Sequence, residues 1–394
     1  MAISEINDKS LAASAVNLAT TTVTGILPAA NTAANLSPGN NLIINGAMQV
    51  AQRSSSAVAQ ADSSNEGYAT LDRWYLQFAS ACPGTVTTSK STEAPVGFRS
   101  SIKLDCTSTG TPVDNSNDYI RLWQKIEGQD LQGLAYGTSS AKSITLSWYM
   151  KSTTYTDPIS IHFLAYGSPA NEYYNVTVTP TTSWAKYSVT VPGSTSLTFA
   201  DTNAAGLNIG FTIAGPATPQ HTQASSSTAW STTVSNAVTD IGNLVSSTNN
   251  VLYITGVQLE VGPVATPFEH RSFGQELALC QRYYQKTYDY ATAPATSTEN
   301  GWAWYGADYD VGITSTFQSQ GIRFESTMRA APTMVGYDAS GNSGKCVRYR
   351  VGHGPAANIA SSIDLITTKN FRHFGQGTNA TGNIAFHYTA DAEL

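Results

Sequence analysis

Charge is scarce in this chain. Of its 394 residues only 12% are Asp, Glu, Lys or Arg, about half of the roughly 25% typical of soluble domains. Such a surface does not sustain a helical bundle or coiled coil, which draw on Ala, Glu, Lys, Leu and Arg. The small balance is acidic, −6 at neutral pH, and leaves no electrostatic footprint for nucleic acid or an anionic membrane. Long apolar runs are lacking too: no stretch approaches the roughly 20 residues that cross a bilayer. The opening MAISEINDKS sets acids ahead of any apolar run, unlike a secretion signal. The chain is therefore expected to be made in a cytoplasm and not to insert into a membrane. Cysteine is thin. Cys82, Cys106, Cys280 and Cys346 have no CxxC spacing and no paired His, which argues against a zinc or redox centre; Cys82 and Cys106 are candidates to face each other across neighbouring strands. Also missing are a GxSxG elbow, a P-loop, an HExxH helix and a Rossmann fingerprint.

What is present instead is 31 Gly, 20 Tyr, 7 Trp and 12 Phe, with abundant Ser and Thr. So many aromatics exclude a chain disordered throughout. Residues 41–272 carry short β-branched or alternating runs (SIKLDC, YIRLWQKI, KSITLSWYM, ISIHFLAY, YYNVTV, AKYSVTV, LNIGFTI, VLYITGVQLEV), each bounded by Gly, Pro, Asn, Asp or Ser. Alternation is clearest in SITLSWYM, where Ile144, Leu146 and Trp148 share a face. Many short strands without a helical period predict a mainly β fold, an antiparallel jelly-roll-type β-sandwich. The polar stretch 216–250 reads as an insertion or arm with Trp230 as its anchor.

Around this sandwich lie three further segments. Residues 1–40 contain no Trp, Tyr, Phe or Cys and cannot form a core, so they read as an extended N-terminal arm and linker ordered only by packing on something else. Ser272 to Gln275 is a capping-box pattern opening a linking helix, taken as 273–290, with Phe273, Leu277, Cys280 and Tyr284 on one stripe. That stripe is core or subunit interface, and Tyr283 faces elsewhere, toward a neighbouring chain. Residues 291–394 return to strands in a β-rich tip domain with too little apolar mass for an ample core in one copy. Stacking copies around an axis would remedy this and cover strand edges.

Two stretches carry a family resemblance. NLIINGAMQVAQRSSSAVAQADSSNEGYATLDRW (41–74) resembles the opening of carbohydrate-binding-module-like domains in bacteriophage tail fibres and receptor-binding proteins, although Ala47-Met48 stands where an acidic-aromatic pair is commoner. ITGVQLEVGPVATPFEHRSFGQELALCQRYYQKTY (254–288) is similar to the sandwich-closing strand and following helix of the same proteins. The resemblance covers roughly residues 41–290. It implies a homotrimer, a virion location, attachment to a phage tail or baseplate protein through residues 1–40, and adhesion to a bacterial surface glycan. Within these blocks Asp72, Arg73 and Trp74 read as structural, a buried Trp beside an ion pair.

Catalysis is not expected. Glycan hydrolysis needs two carboxyls at a defined separation, and Asp308 and Asp310, with Glu325 nearby, are more simply turn acids; no cofactor is implied. A weak calcium candidate is Asp114, Asn115, Asn117 and Asp118, oxygen ligands that turn chemistry also explains. Glycan-binding candidates are Trp302, Trp304, Tyr305, Asp308 and Tyr309, with Arg348, Arg350, His353, Arg372 and His373 as a locally basic set. The function expected is multivalent, non-covalent adhesion by a tail fibre. A non-receptor virion component (head fibre, decoration or fibre adaptor protein) and a polysaccharide depolymerase are the alternatives; the latter lacks the repeated coils of a parallel β-helix.

Overall fold

The computed structural model describes residues 40–54, 56–79, 82–110, 118–215, 222–223, 226–238, 241–307, 314–350, 354–378 and 382–394. Outside the described residues fall the arm up to residue 39, the calcium candidates Asp114, Asn115 and Asn117, and Asp308, Tyr309 and His353; of Arg350 only the backbone is described. Asn41–Leu394 form one compact unit.

In chain order the first strands are β1 (Val58–Gln60), β2 (Tyr75–Ala79), β3 (Thr85–Ser91), β4 (Ser101–Ser108), β5 (Tyr119–Glu127), β6 (Ile144–Ser152), β7 (Ile159–Ala165), β8 (Glu172–Val178), β9 (Ala185–Val191) and β10 (Ala205–Ala214). They are followed by the short pair β11 (Thr222–Gln223) and β12 (Ala237–Val238) and the closing strand β13 (Val251–Val261). Apart from β11 and β12, which pair parallel in a sheet of their own, they make a two-sheet antiparallel sandwich, with one sheet in the order β1-β3-β4-β13-β6-β9 and the other β2-β5-β10-β7-β8. The period of two puts one residue in two into the core. Ile144, Leu146 and Trp148 are fully buried, as the alternation predicts, against Ile161, Phe163, Ile209 and Phe211 of the facing sheet. Trp74 joins this core, its Nε1 donating to the Asn45 carbonyl at 3.1 Å. A bulge between Thr255 and Gln258 interrupts β13 opposite β6. Gly256 sits there at φ 61°, where a Cβ would lie 2.6 Å from Phe98 Cζ, so a side chain is excluded on both counts.

The helix α1 (Phe273–Gln281) starts as predicted: Ser272 Oγ accepts from the Gln275 amide, and Gln275 returns a bond to the Ser272 amide. It is shorter than the expected 273–290. Tyr284 opens β14 (Tyr284–Lys286), paired with the end of the last strand, because two adjacent tyrosines suit a pleated, half-buried surface better than a helix end. Beyond it run β15 (Ala303–Ala307), β16 (Thr314–Gln318), β17 (Ile322–Arg323), β18 (Thr333–Tyr337), β19 (Lys345–Arg350), β20 (Gly354–Asp364), β21 (Asn370–Thr378) and β22 (Gly382–Asp391). These and β14 form a nine-stranded sheet centred on β14-β22-β19-β20-β21-β16. Contrary to the expectation of a deficient core, the sheet closes one within a single chain, from Phe324, Met328, Cys346, Phe371, Ile384, Phe386 and Tyr388.

A buried ionic junction joins the two parts. Arg73 ion-pairs with Glu393, and its guanidinium lies 3.5 Å from the Tyr283 ring centre. Arg53 reaches Asp391 (3.0 Å) and Glu393 (3.3 Å) and lies 3.9 Å from the Tyr284 ring centre. Glu127 receives two bonds from Arg282 (2.8 and 2.7 Å) and one from Tyr283 Oη (2.5 Å). Burial opposes ionisation of Glu127, but Arg282 and Tyr283 outweigh it and hold its carboxyl below the usual range. Tyr283 is thus buried inside the chain and not turned toward a neighbouring copy, and Tyr284, read as core or interface, is buried within the chain too. Phe273 stays 44% exposed, and Leu277 is half-buried. All four cysteines are free and buried, Cys82 and Cys106 included.

Candidate functional site

The outer face of the five-stranded sheet departs from the usual surface of a sandwich. Its strands alternate as expected, but the residues turned away from the core are large, polar and aromatic. Register places Tyr75, Trp123, Gly210, His162 and Asn175 in one row across β2, β5, β10, β7 and β8. A neighbouring row holds Gln77, Arg121, Thr212, Ser160 and Thr177, and on the other side Lys125, Asn208, Leu164 and Tyr173 align.

Gly210 is the opening in this face. A Cβ there would lie 2.4 Å from Arg121 Cδ, so its absence lets the Arg121 chain cross the strand. Arg121 is 1% exposed; its Nε donates to Thr212 Oγ1 (2.9 Å), its Nη2 to the Asn236 carbonyl (2.5 Å), and its guanidinium lies 4.1 Å from the Tyr119 ring centre. Burial lowers its pKa, and the surrounding tyrosines Tyr119, Tyr166 and Tyr173 only partly offset that. Beside it, His162 is fully buried, with Nδ1 2.8 Å from Asn175 Oδ1. Burial first, and the Arg121 charge second, hold this imidazole neutral well below the usual histidine range. An amide oxygen only accepts, so Nδ1 carries the proton and Nε2 is a bare acceptor with no partner among the described residues.

Two further groups on the face have the same character. Trp123 Nε1, a donor, and Gln77 Oε1, an acceptor, are buried atoms without a partner among the described residues. The half-buried Trp123 ring meets Tyr75 at 5.7 Å between centres, and Lys125 Nζ lies 4.9 Å from it. Tyr75 is fixed by its hydroxyl, which donates to Glu66 (2.9 Å), and by an edge-on contact with Tyr68 at 5.0 Å. Unpaired donors and acceptors interleaved with ring faces are what a polyhydroxylated ligand requires: hydroxyls both give and take hydrogen bonds, and the C–H faces of a sugar lie on aromatic rings.

Of the tip candidates among the described residues, the structure brings Tyr305 and His373 together, but not on an open face. Tyr305 and His373 turn inward: His373 is fully buried, stacked on Phe386 at 3.6 Å between ring centres, with the Tyr305 hydroxyl 3.2 Å from its Nδ1. Trp302 is half-buried and donates to the Thr298 carbonyl at 2.9 Å. Arg348 is half-buried on β19. Trp304, 70% exposed, stands on β15. On β21, Arg372 pairs with Asp364 at the end of β20 (2.6 Å). Asp118 is buried at the head of β5. Alternation in YIRLWQKI marks which residues share a face but not what that face meets, so the sequence reading does not reach the face on β5. The signal within it was an Arg and a Trp at successive outward positions, opposite the Gly of LNIGFTI.

No family model matches this sequence, and no curated protein matches it. Among solved structures, the chain is similar to a putative sugar binding protein from Bacteroides thetaiotaomicron (13% identity, TM-score 0.30, covering 56% of this chain and 99% of that one). It is also similar to the family 11 carbohydrate-binding module of a Clostridium thermocellum cellulosomal cellulase (12%, TM-score 0.27, 55% and 100%). A third is the enzymatically active domain of bacteriophage CBA120 tailspike protein 4 (17%, TM-score 0.28), of which the match spans 57% of this chain and 22% of that one. Among the described residues no helix is long and apolar enough to cross a membrane.

Proposed function

We propose that this protein is a bacteriophage tail-fibre component that adheres to a glycan on the host cell surface by non-covalent binding, without catalysis. The observation that carries the glycan reading is the outer face of the five-stranded sheet, where Trp123 Nε1 and Gln77 Oε1, beside the rings of Tyr75 and Trp123, have no partner among the described residues. The fibre context comes from the resemblance of residues 41–74 and 254–288. In this reading residues 1–40 attach to a tail or baseplate protein, and copies assemble as a homotrimer in the virion. The exposed Phe273, Leu279 and Val264 are apolar positions that contact between copies would cover. Three weak sites on one fibre gain avidity through effective concentration.

An array of bacterial envelope glycans tests the proposal. Trp123→Ala is expected to lower retention by about tenfold or more, the loss of an aromatic anchor, while Trp304→Ala leaves it unchanged. Loss with Trp304→Ala alone would move the site to the tip. No retention by the parent protein would favour a virion component without a receptor role.

A further inference from the structure

The candidate face is enclosed, and its walls decide which part of a glycan fits. Residues 226–238 first run along the β8 edge, where the amides of Tyr173 and Ser231 each donate to the other's carbonyl (2.8 and 3.1 Å) and Ser227 N donates to Asn175 O (2.8 Å). This strap then crosses the face. Asn175 Nδ2 donates to Ser235 (O 3.2 Å, Oγ 3.1 Å), Val238 N to Ser160 Oγ (3.2 Å), and Arg121 Nη2 to Asn236 O (2.5 Å). Its attachments lie on β8, β7 and β5, so it runs transverse to the strands. Trp230 pins it, Nε1 donating to the Pro192 carbonyl at 2.6 Å and the ring packing on Tyr136 and Tyr174.

The opposite wall comes from the far end of the sequence. Lys125 Nζ and Tyr68 Oη both donate to the Leu394 backbone oxygen at 3.2 Å. Arg329 holds that segment, bonding the carbonyls of Ala392 (2.7 Å) and Glu393 (3.0 Å). The strap and this segment grip the side chains of Arg121 and Lys125, which leave β5 about 13 Å apart. From Trp123 to Asn175 the row spans three strand spacings, about 14 Å. At the β8 end it is shut, since His162 and Asn175 are fully buried under the strap; at the β2 end Tyr75, Gln77 and Trp123 are half-exposed.

We infer that this site takes the end of a glycan chain, a terminal mono- or disaccharide, rather than a stretch of polymer interior. An interior stretch must leave at both ends of its groove, and among the described residues this one opens only toward β2. The inference rests on the glycan reading of the face. It is tested with the full chain by titration calorimetry against a panel of bacterial capsular and O-antigen polysaccharides. Each is presented as the single repeat unit, as the polymer, and as the polymer with its non-reducing ends chemically capped, with Trp123→Ala and Trp123→Phe in parallel. The repeat unit is expected to bind as tightly per chain end as the polymer, and capping to weaken binding by about tenfold or more. A capped polymer that binds as tightly as the uncapped one, with Trp123→Ala still abolishing both, overturns the inference and leaves the glycan reading standing. Absence of any binding sensitive to Trp123→Ala overturns both.

Discussion

Arg73 illustrates what a single side chain decides here. It is 1% exposed, and its charge is balanced by Glu393, 320 residues away. Burial works against the cation, but Glu393 outweighs it and raises its pKa. Removing one member of a buried pair leaves the other charged and unsolvated, which costs several kcal/mol. Glu393→Ala is therefore expected to destabilise the fold by about 3–5 kcal/mol in urea denaturation, whereas removing the more exposed Asp364 from its pair with Arg372 changes stability little. The buried histidines act in the opposite sense. Burial lowers His373 to about 3 and His387 to about 4, and His162 shifts the same way, whereas the unfolded chain binds these protons near pH 6.5. Their contribution is complete above pH 6.5 and is lost as pH falls from 6.5 through 4 toward 3, because the unfolded state then holds more protons. The melting temperature should fall steadily across that window, and His387→Gln, which keeps polar contact with Thr287 and Thr298, should flatten the slope.

Local signals fix element ends, and tertiary pairing fixes element lengths. The Ser272 cap is a local device: Ser272→Ala should cost about 1 kcal/mol, read in chemical denaturation. Where α1 stops is set from outside, by β22, which offers Asp391 and Thr389 as partners to Tyr284 and Lys286. The bulge in β13 is of the same kind. Gly256→Ala places a Cβ at a left-handed position and against Phe98, so it should destabilise by about 1 kcal/mol or more; an unchanged denaturation midpoint would refute that account. The strap was legible in sequence as a polar insertion with Trp230 as anchor, because an aromatic amid Ser and Thr packs where it can. Its course over Arg121 was not, since a backbone carbonyl such as that of Asn236 carries no residue-type signal.

Across the whole molecule, sandwich and C-terminal sheet share one buried ionic junction through Arg53, Arg73, Asp72, Asp391 and Glu393. Residues 41–394 are accordingly expected to unfold in a single cooperative transition, with tryptophan fluorescence and far-ultraviolet circular dichroism giving coincident curves. Two separated transitions would show that the junction does not couple the parts. The proposed trimer predicts three times the chain mass by light scattering at micromolar concentration.

The sequence by itself determined the β character, the strands and their core faces, the helix start and the buried Trp74, because these depend on periods and caps spanning a few residues. The low charge was legible too, and its counterpart is a sheet face that uses amides, hydroxyls and rings. Tertiary structure alone decided that Tyr305 and His373 enter a core, that Tyr283 and Tyr284 meet Arg73 and Arg53, and that Trp123, Gln77 and His162 gather on one face. A strand's pattern says only which residues point the same way. Which strands lie side by side, and in what register, depends on contacts between residues tens to hundreds of positions apart, and that placement gathers outward-facing side chains into a candidate site.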